Sequence, residues 1–230
     1  MTNRESHTAA IEEYVSTALL NHFGSRPESI QIILRPPFMV MHLTDFSLPN
    51  EKALLKQNHA KQVLKTRDVL LGGLKTELAA ELPDKCGMAI DGLYADWNIN
   101  NKTGLLLAVA NRQETHETVS LNETEKALLD VLVEASKKTE KKPDHTGIHW
   151  LSESVLLIER TGLMVDIETE LVKNGSTEEL RLAKRPLEHR LMESAPLEAA
   201  IGKPIRELFV DWDFEEDRAY MVLLLEASSK

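Results

Sequence analysis

The amino-acid sequence predicts an α+β protein made of two tandem α-β-β-α-β-β units, each a mainly antiparallel four-stranded sheet with helices packed on one face. Three observations carry this reading. First, an Asp-Trp strand occurs twice: Leu93-Tyr94-Ala95-Asp96-Trp97-Asn98-Ile99 is matched by Leu208-Phe209-Val210-Asp211-Trp212-Asp213-Phe214, with the tryptophans 115 residues apart. Second, Arg26-Pro27-Glu28 lines up with Lys142-Pro143-Asp144 at an offset of 116, and each is followed by two short β-rich runs. Offsets that agree within one residue over about 80 positions point to duplication rather than chance. Third, apolar residues alternate along the Asp-Trp segments, which is the period of a strand with two distinct faces. A chain of 230 residues, at roughly 100–200 residues per domain, accommodates two such units. Their boundaries are set at 1–115 and 116–230.

The elements follow in order. Residues 5–23 read as a helix, because Ile11, Tyr14, Val15, Ala18 and Leu19 form one apolar stripe at helical spacing, and Gly24 is a natural stop. Residues 30–34 and 38–43 read as strands split by Arg35-Pro36-Pro37, which is hairpin punctuation. A single long helix is expected over 50–82, its face formed by Val63, Leu64, Leu70, Leu71, Leu74, Leu78 and Leu82. Gly72-Gly73 would kink it or admit another backbone, and Pro83 and Gly87 would end it. Strands over 90–99 and 104–110 complete the first unit.

In the second unit, Ser120 to Glu123 is a candidate capping box for a helix with Leu128, Val131, Leu132 and Ala135 on one face. The match of Ser47-Leu48-Pro49-Asn50-Glu51 to Ser120-Leu121-Asn122-Glu123 is read as two helix starts with the same capping chemistry. Lysines 137, 138, 141 and 142 suit the negative end of that helix. Strands over 148–151 and 155–159 are split by Ser152-Glu153-Ser154. Ser176 to Glu179 signals another helix, which Pro186 and Pro196 would cut into shorter kinked pieces, with Leu180, Leu187, Leu191, Leu197 and Ile201 facing inward. Gly202-Lys203-Pro204 ends it before the second Asp-Trp strand. The even positions Leu208, Val210, Trp212 and Phe214 then share one face, as Leu93, Ala95, Trp97 and Ile99 do in the first unit, so both tryptophans are assigned to the core.

Composition narrows the functional classes. Hydrophobic residues are 42% and charged residues 28% of the chain, an ordinary globular balance. Lys and Arg number 27 against 37 Asp and Glu, a formal charge of −10. A phosphate-tracking basic surface therefore does not dominate, and nucleic acid is not an expected partner. Cys86 is the one cysteine, which rules out an intramolecular disulfide and any multi-cysteine metal site and fits a reducing compartment. The N-terminal residues lack the apolar run of a signal peptide, and the apolar stretches at 105–110 and 220–225 are far too short to span a bilayer. The reading is a soluble cytoplasmic protein with no membrane span.

Arg26-Pro27-Glu28-Ser29, the helix opening Leu48-Pro49-Asn50-Glu51-Lys52-Ala53-Leu54 and Asp96 in its hairpin resemble the MpsC family, whose label is "Na+-translocating membrane potential-generating system". The resemblance covers residues 5–112 well and 120–227 more loosely. The second unit departs from it at Leu163-Met164-Val165-Asp166, which lacks the Glu-Lys pair. The resemblance implies a small bacterial protein associated with a membrane system for ion or inorganic-carbon uptake. It does not imply that this chain translocates anything.

The residues that could carry chemistry are few. Asp96 and Asp211 are carboxylates at matching repeat positions beside matched tryptophans. They would line a shared groove if the halves packed about a pseudo-twofold axis; the alternative is a solvent-facing strand residue or a hairpin contact. The basic residues Lys52, Lys56, Lys61, Lys65, Arg67 and Lys75 would suit an anionic partner or headgroup, or form a solvated helix face. His145 and His149 beside Asp144 have metal-ligand spacing only on a helix, and Gly147 argues for a strand. His42, His59 and His189 are isolated. Cys86 has no nucleophile signature, and neither a P-loop, a dinucleotide fingerprint nor a serine-hydrolase elbow is present. The sequence therefore calls for no cofactor and no metal.

The leading functional expectation is a non-catalytic accessory protein acting on a protein partner, such as a membrane transport subunit, through a helix face or sheet edge. Sheet edges must be paired or covered, either between the halves, as a pseudo-dimer, or between copies, as a homo-oligomer. The alternative is a small-anion or metabolite binding module with a site between the two repeats, its candidate residues Asp96, Asp211, Lys61 and Arg67. An unfamiliar enzyme is the third reading.

Overall fold

The computed structural model describes residues 3–110, 121–138 and 141–227. The chain divides into two compact units, Met1–Thr115 and His116–Lys230, with the same core of elements. In the first, α1 (Asn3–Phe23) leads to the hairpin β1 (Ser29–Arg35) and β2 (Phe38–Thr44). Helices α2 (Glu51–Lys56) and α3 (Ala60–Cys86) follow, then the hairpin β3 (Ile90–Asn98) and β4 (Thr103–Ala110). In the second, α4 (Glu123–Ser136) precedes β5 (His145–Ser152) and β6 (Val155–Thr161). Helices α5 (Asp166–Lys173), α6 (Thr177–Ser194) and α7 (Leu197–Ile201) then lead to β7 (Ile205–Asp213) and β8 (Arg218–Leu225).

Each unit contains a four-stranded sheet, ordered β1-β2-β4-β3 and β5-β6-β8-β7, and every pair of neighbours is antiparallel. This is the predicted α+β class. One face of the first sheet, carrying Met39, Met41, Leu43, Leu93, Ala95, Trp97, Leu106 and Ala108, packs with Ile11, Val15 and Leu19 of α1 and Leu71, Leu74, Leu78 and Leu82 of α3. In the second unit Leu156, Ile158, Val210, Trp212, Met221 and Leu223 pack with Leu128 and Leu132 of α4, Leu180 and Leu191 of α6 and Leu197 of α7. Apolar burial of this kind is the main favourable term in folding.

Several element predictions are corrected. The helix expected over 50–82 is two helices. Asn58 takes a left-handed conformation (φ +61°), which short polar side chains tolerate, and Gln57, Asn58 and His59 N–H groups turn back onto the Leu54 and Leu55 carbonyls. Helix α3 then continues through Pro83 to Cys86 and stops at Gly87, whose φ is +66° and whose N–H bonds to the Pro83 carbonyl. A proline so close to the end removes one hydrogen bond without breaking the helix.

Pro186 likewise lies inside a continuous α6. Lys184 and Arg185 before it, and Glu188, Leu191 and Met192 after it, are buried, so packing holds both halves in line. Leu187 is 37% exposed rather than inward. Ser120 lies outside the described residues, and the box that caps α4 is two residues on: Asn122 Oδ1 accepts Glu125 N–H at 2.9 Å, and Glu125 Oε2 accepts Asn122 N–H at 2.9 Å. Ser176 makes no side-chain cap. Gly73 does admit a neighbour, but it is a side chain: a Cβ there would lie 2.9 Å from His22 Nδ1.

Candidate functional site

In both units the Asp-Trp pair sits on an edge strand, β3 or β7. Strand periodicity sends Trp97 and Trp212 into the cores, where they are 4% and 3% exposed, and turns Asp96 and Asp211 to the opposite face of the sheet. These carboxylates are nevertheless 1% and 3% exposed, which corrects the solvent-facing alternative. In each pair Oδ1 of the aspartate accepts the N–H of the tryptophan that follows, at 2.8 Å both times.

Sheet register extends the likeness. Asp96 stands opposite Leu105, then His42, then Gln31; Asp211 stands opposite Tyr220, then Glu159, then Gly147. The first row thus carries a buried acid and a buried histidine, the second two buried acids. The second row has its own cations. Arg181 Nη1 contacts Asp211 Oδ1 while its Nη2 donates to the Trp212 carbonyl, and Glu159 takes Arg218 at 3.4 Å and His149 at 3.7 Å.

On the helix side, each tryptophan lies beside a buried ion pair. Arg67, 1% exposed, grips Glu51 with two prongs, Nε to Oε1 at 2.6 Å and Nη2 to Oε2 at 2.8 Å, and also donates to the Phe46 carbonyl at 3.0 Å. Its guanidinium lies 5.0 Å from the Phe46 ring centroid and 4.8 Å from that of Trp97, a desolvated cation–π contact. The other Glu51 role is local: Oε2 accepts Leu48 N–H at 2.8 Å and so closes the start of α2.

The second unit repeats this with weaker parts. Lys184 Nζ reaches Glu168 Oε1 at 2.9 Å and lies 5.9 Å from the Trp212 ring, while Glu168 accepts Val165 N–H at 3.2 Å. Glu51 and Arg67, like Glu168 and Lys184, are sixteen residues apart. Glu168 is therefore the counterpart of Glu51, hidden in the sequence because Thr169 follows it in place of the lysine that follows Glu51. Arg67 Nη1, Trp97 Nε1 and Trp212 Nε1 are buried donors with no acceptor among the described residues.

The two predicted cations on α3 part company. Lys61 is exposed and Arg67 is buried. Six residues along a helix rotate the side chain by about 240°, and Arg67 falls in the stripe Val63, Arg67, Leu71, Leu74, Leu78, Leu82, all buried. That stripe was the signal for its burial. Lys184 has the same signature among Leu180, Glu188 and Leu191.

His145 and His149 lie on strand β5, so the helical metal-ligand spacing does not arise. Among the described residues no group of three or more His, Cys, Asp or Glu side chains is placed to hold a metal ion. Burial pushes the Cys86 thiol pKa up, partly offset by backbone hydrogen bonds at Met88 and Cys86; such a thiol is a poor nucleophile. Between α1 and α3, Glu77 accepts Tyr14 OH at 3.3 Å and meets His22 Nε2 at 2.7 Å. Burial first, and then Glu77 and Glu81, raise the Tyr14 phenol to about 12. These groups hold elements together.

Residues 3–112 match the family model described as "Na+-translocating membrane potential-generating system (MpsC)". No curated protein and no solved structure matches the chain. No helix among the described residues is long and apolar enough to cross a membrane.

Proposed function

We propose, on the premise that the first unit is a member of the MpsC family, that this protein is a non-catalytic accessory component of a bacterial membrane ion-handling system. It acts from the cytoplasmic side by contact with a membrane-embedded transport subunit. The observation that carries this reading is the family match over residues 3–112, whose description names a membrane potential-generating system. The helices lend support, because none described is suited to crossing a bilayer, and the buried polar groups near both tryptophans are engaged in holding the fold. A protein of this kind influences a transporter by binding it.

The test is affinity capture of the tagged chain from its own host after cross-linking, with detergent-solubilised membranes and soluble extract analysed separately. The expected result is enrichment of a membrane-integral transport subunit in the membrane fraction, and a changed membrane potential in cells lacking the protein. Enrichment of no membrane-integral protein, together with an unchanged potential, refutes the reading.

A further inference from the structure

We infer that the exposed lysines of α2 and the first turns of α3 form a docking surface for an anionic lipid leaflet. Between Glu51 and Asp68 the chain carries Lys52, Lys56, Lys61, Lys65 and Arg67 and no carboxylate. Arg67 and Glu51 are buried against each other, whereas Lys52, Lys56, Lys61 and Lys65 are all exposed. Lys52 and Lys56 are four apart on α2, and Lys61 and Lys65 are four apart on α3, so each pair lines one side of its helix. The next position on the α3 line is Val69, an apolar side chain 62% exposed. Asp68, half-buried, is the carboxylate nearest in sequence to that line.

The overall charge of −10 opposes such a surface only if it is spread evenly, and it is not. Residues 1–115 contain 12 Lys and Arg against 13 Asp and Glu, whereas residues 116–230 contain 15 against 24. The unit that carries the lysines is close to neutral, and five of its twelve cations fall within residues 52–67, a stretch without a carboxylate.

The chemistry of the donors selects the occupant. Lysine is a compact point charge on a flexible stem and lacks the planar fork with which arginine grips one carboxylate or phosphate. Four such charges on two helices, with an exposed valine beside them, match many mobile headgroup phosphates with shallow apolar contact better than one fixed acidic ligand. This inference rests on the charge distribution and is independent of the family premise.

The experiment is co-sedimentation of the full chain with vesicles of phosphatidylglycerol and phosphatidylcholine, against phosphatidylcholine alone. Each lysine near an anionic surface contributes about a fivefold gain in partitioning. The variants K52Q/K56Q and K61Q/K65Q are each expected to bind roughly 25-fold more weakly, and about 0.5 M NaCl to abolish binding. The control K126Q/K137Q, which changes lysines paired with Glu123 and Glu134 on α4, should bind as the parent does, with circular dichroism reporting the fold of each variant. Equal binding to both vesicle types overturns the inference, as does parental binding by both lysine variants. Inorganic phosphate at matched ionic strength should compete no better than NaCl; specific competition would assign the lysines to free phosphate instead. Binding to soluble polyglutamate without binding to vesicles would assign them to an acidic protein. Vesicle binding with failed capture of a transport subunit would refute the proposed function alone.

Discussion

Substituting Glu51 by Gln tests the account of the buried pair most directly. The change keeps the side-chain length but removes the charge that both prongs of Arg67 contact at 2.6 and 2.8 Å. The guanidinium, 1% exposed, is then buried without a counter-charge, and breaking a buried pair from one side costs about 3–5 kcal/mol. A unit of about 110 residues is stable by roughly 5–15 kcal/mol, so the loss is a large part of the total. In melting temperature it corresponds to about 12–24 °C for the first 3 kcal/mol. The assay is chemical and thermal denaturation of the full chain, with E168Q as comparison. Lys184 meets Glu168 at 2.9 Å with a compact ammonium rather than a two-pronged fork, so E168Q should cost about 1.5–3 kcal/mol. The double variant E51L/R67M should recover most of the E51Q loss, because apolar replacement of both partners is often neutral. A loss below about 1 kcal/mol for E51Q, or a larger loss for E168Q than for E51Q, would refute the reasoning.

Other consequences can be checked in the same protein. The Tyr14 phenol should titrate near pH 12 by ultraviolet absorbance rather than near 10. Because the folded state holds that proton more tightly, its contribution to stability is complete below about pH 10 and disappears as pH rises toward 12; titration at the ordinary value would contradict the burial argument. Cys86 should react with a thiol reagent at pH 8 more slowly in the folded protein than in denaturant, and equal rates would contradict its raised pKa. Gly104 faces Trp97 across the β3–β4 ladder, and a Cβ there would lie 2.4 Å from the indole. G104A should therefore cost about 1–3 kcal/mol by overpacking, read by urea denaturation. In the second unit the same place holds Ala219, so A219G should lack that strain and change stability by no more than about 1 kcal/mol. D211N should cost about 1.5–3 kcal/mol because it removes the charge that Arg181 contacts; an unchanged urea midpoint would set that contact aside.

The repeat and the two sheets were legible because Asp-Trp, the Pro-containing turns and the strand alternation are local signals that keep their spacing. The break at Asn58 was not legible, because lysines and leucines on both sides continue the helical pattern and one left-handed asparagine interrupts it. Prolines act as punctuation unevenly: Pro196 separates α6 from α7 as expected, whereas Pro83 and Pro186 stay inside helices whose flanking residues are anchored by burial. At the site, Arg67 reads as one of a row of surface cations until its position is counted along the buried stripe, and Lys184 draws no notice at all until the same count is made on α6. Their carboxylate partners lie on short separate helices sixteen residues earlier, and no local pattern reports a contact of that kind. Burial of Asp96 and Asp211 is a tertiary property that alternation alone does not fix.

The way α2 is attached has a dynamic consequence. Glu51 is its one buried residue, and Asn50 supplies no side-chain cap. Six residues cannot sustain a helix by propagation alone, so once the Glu51–Arg67 pair releases, α2 should open without global unfolding. Its amides should exchange with solvent well before those of β2 and β4. Lys52 and Lys56 would then ride on a segment that opens and recloses, while Lys61 and Lys65 stand on the long helix α3. A surface with one compliant half and one stiff half can follow an uneven, fluctuating boundary and keep its charges in register with it.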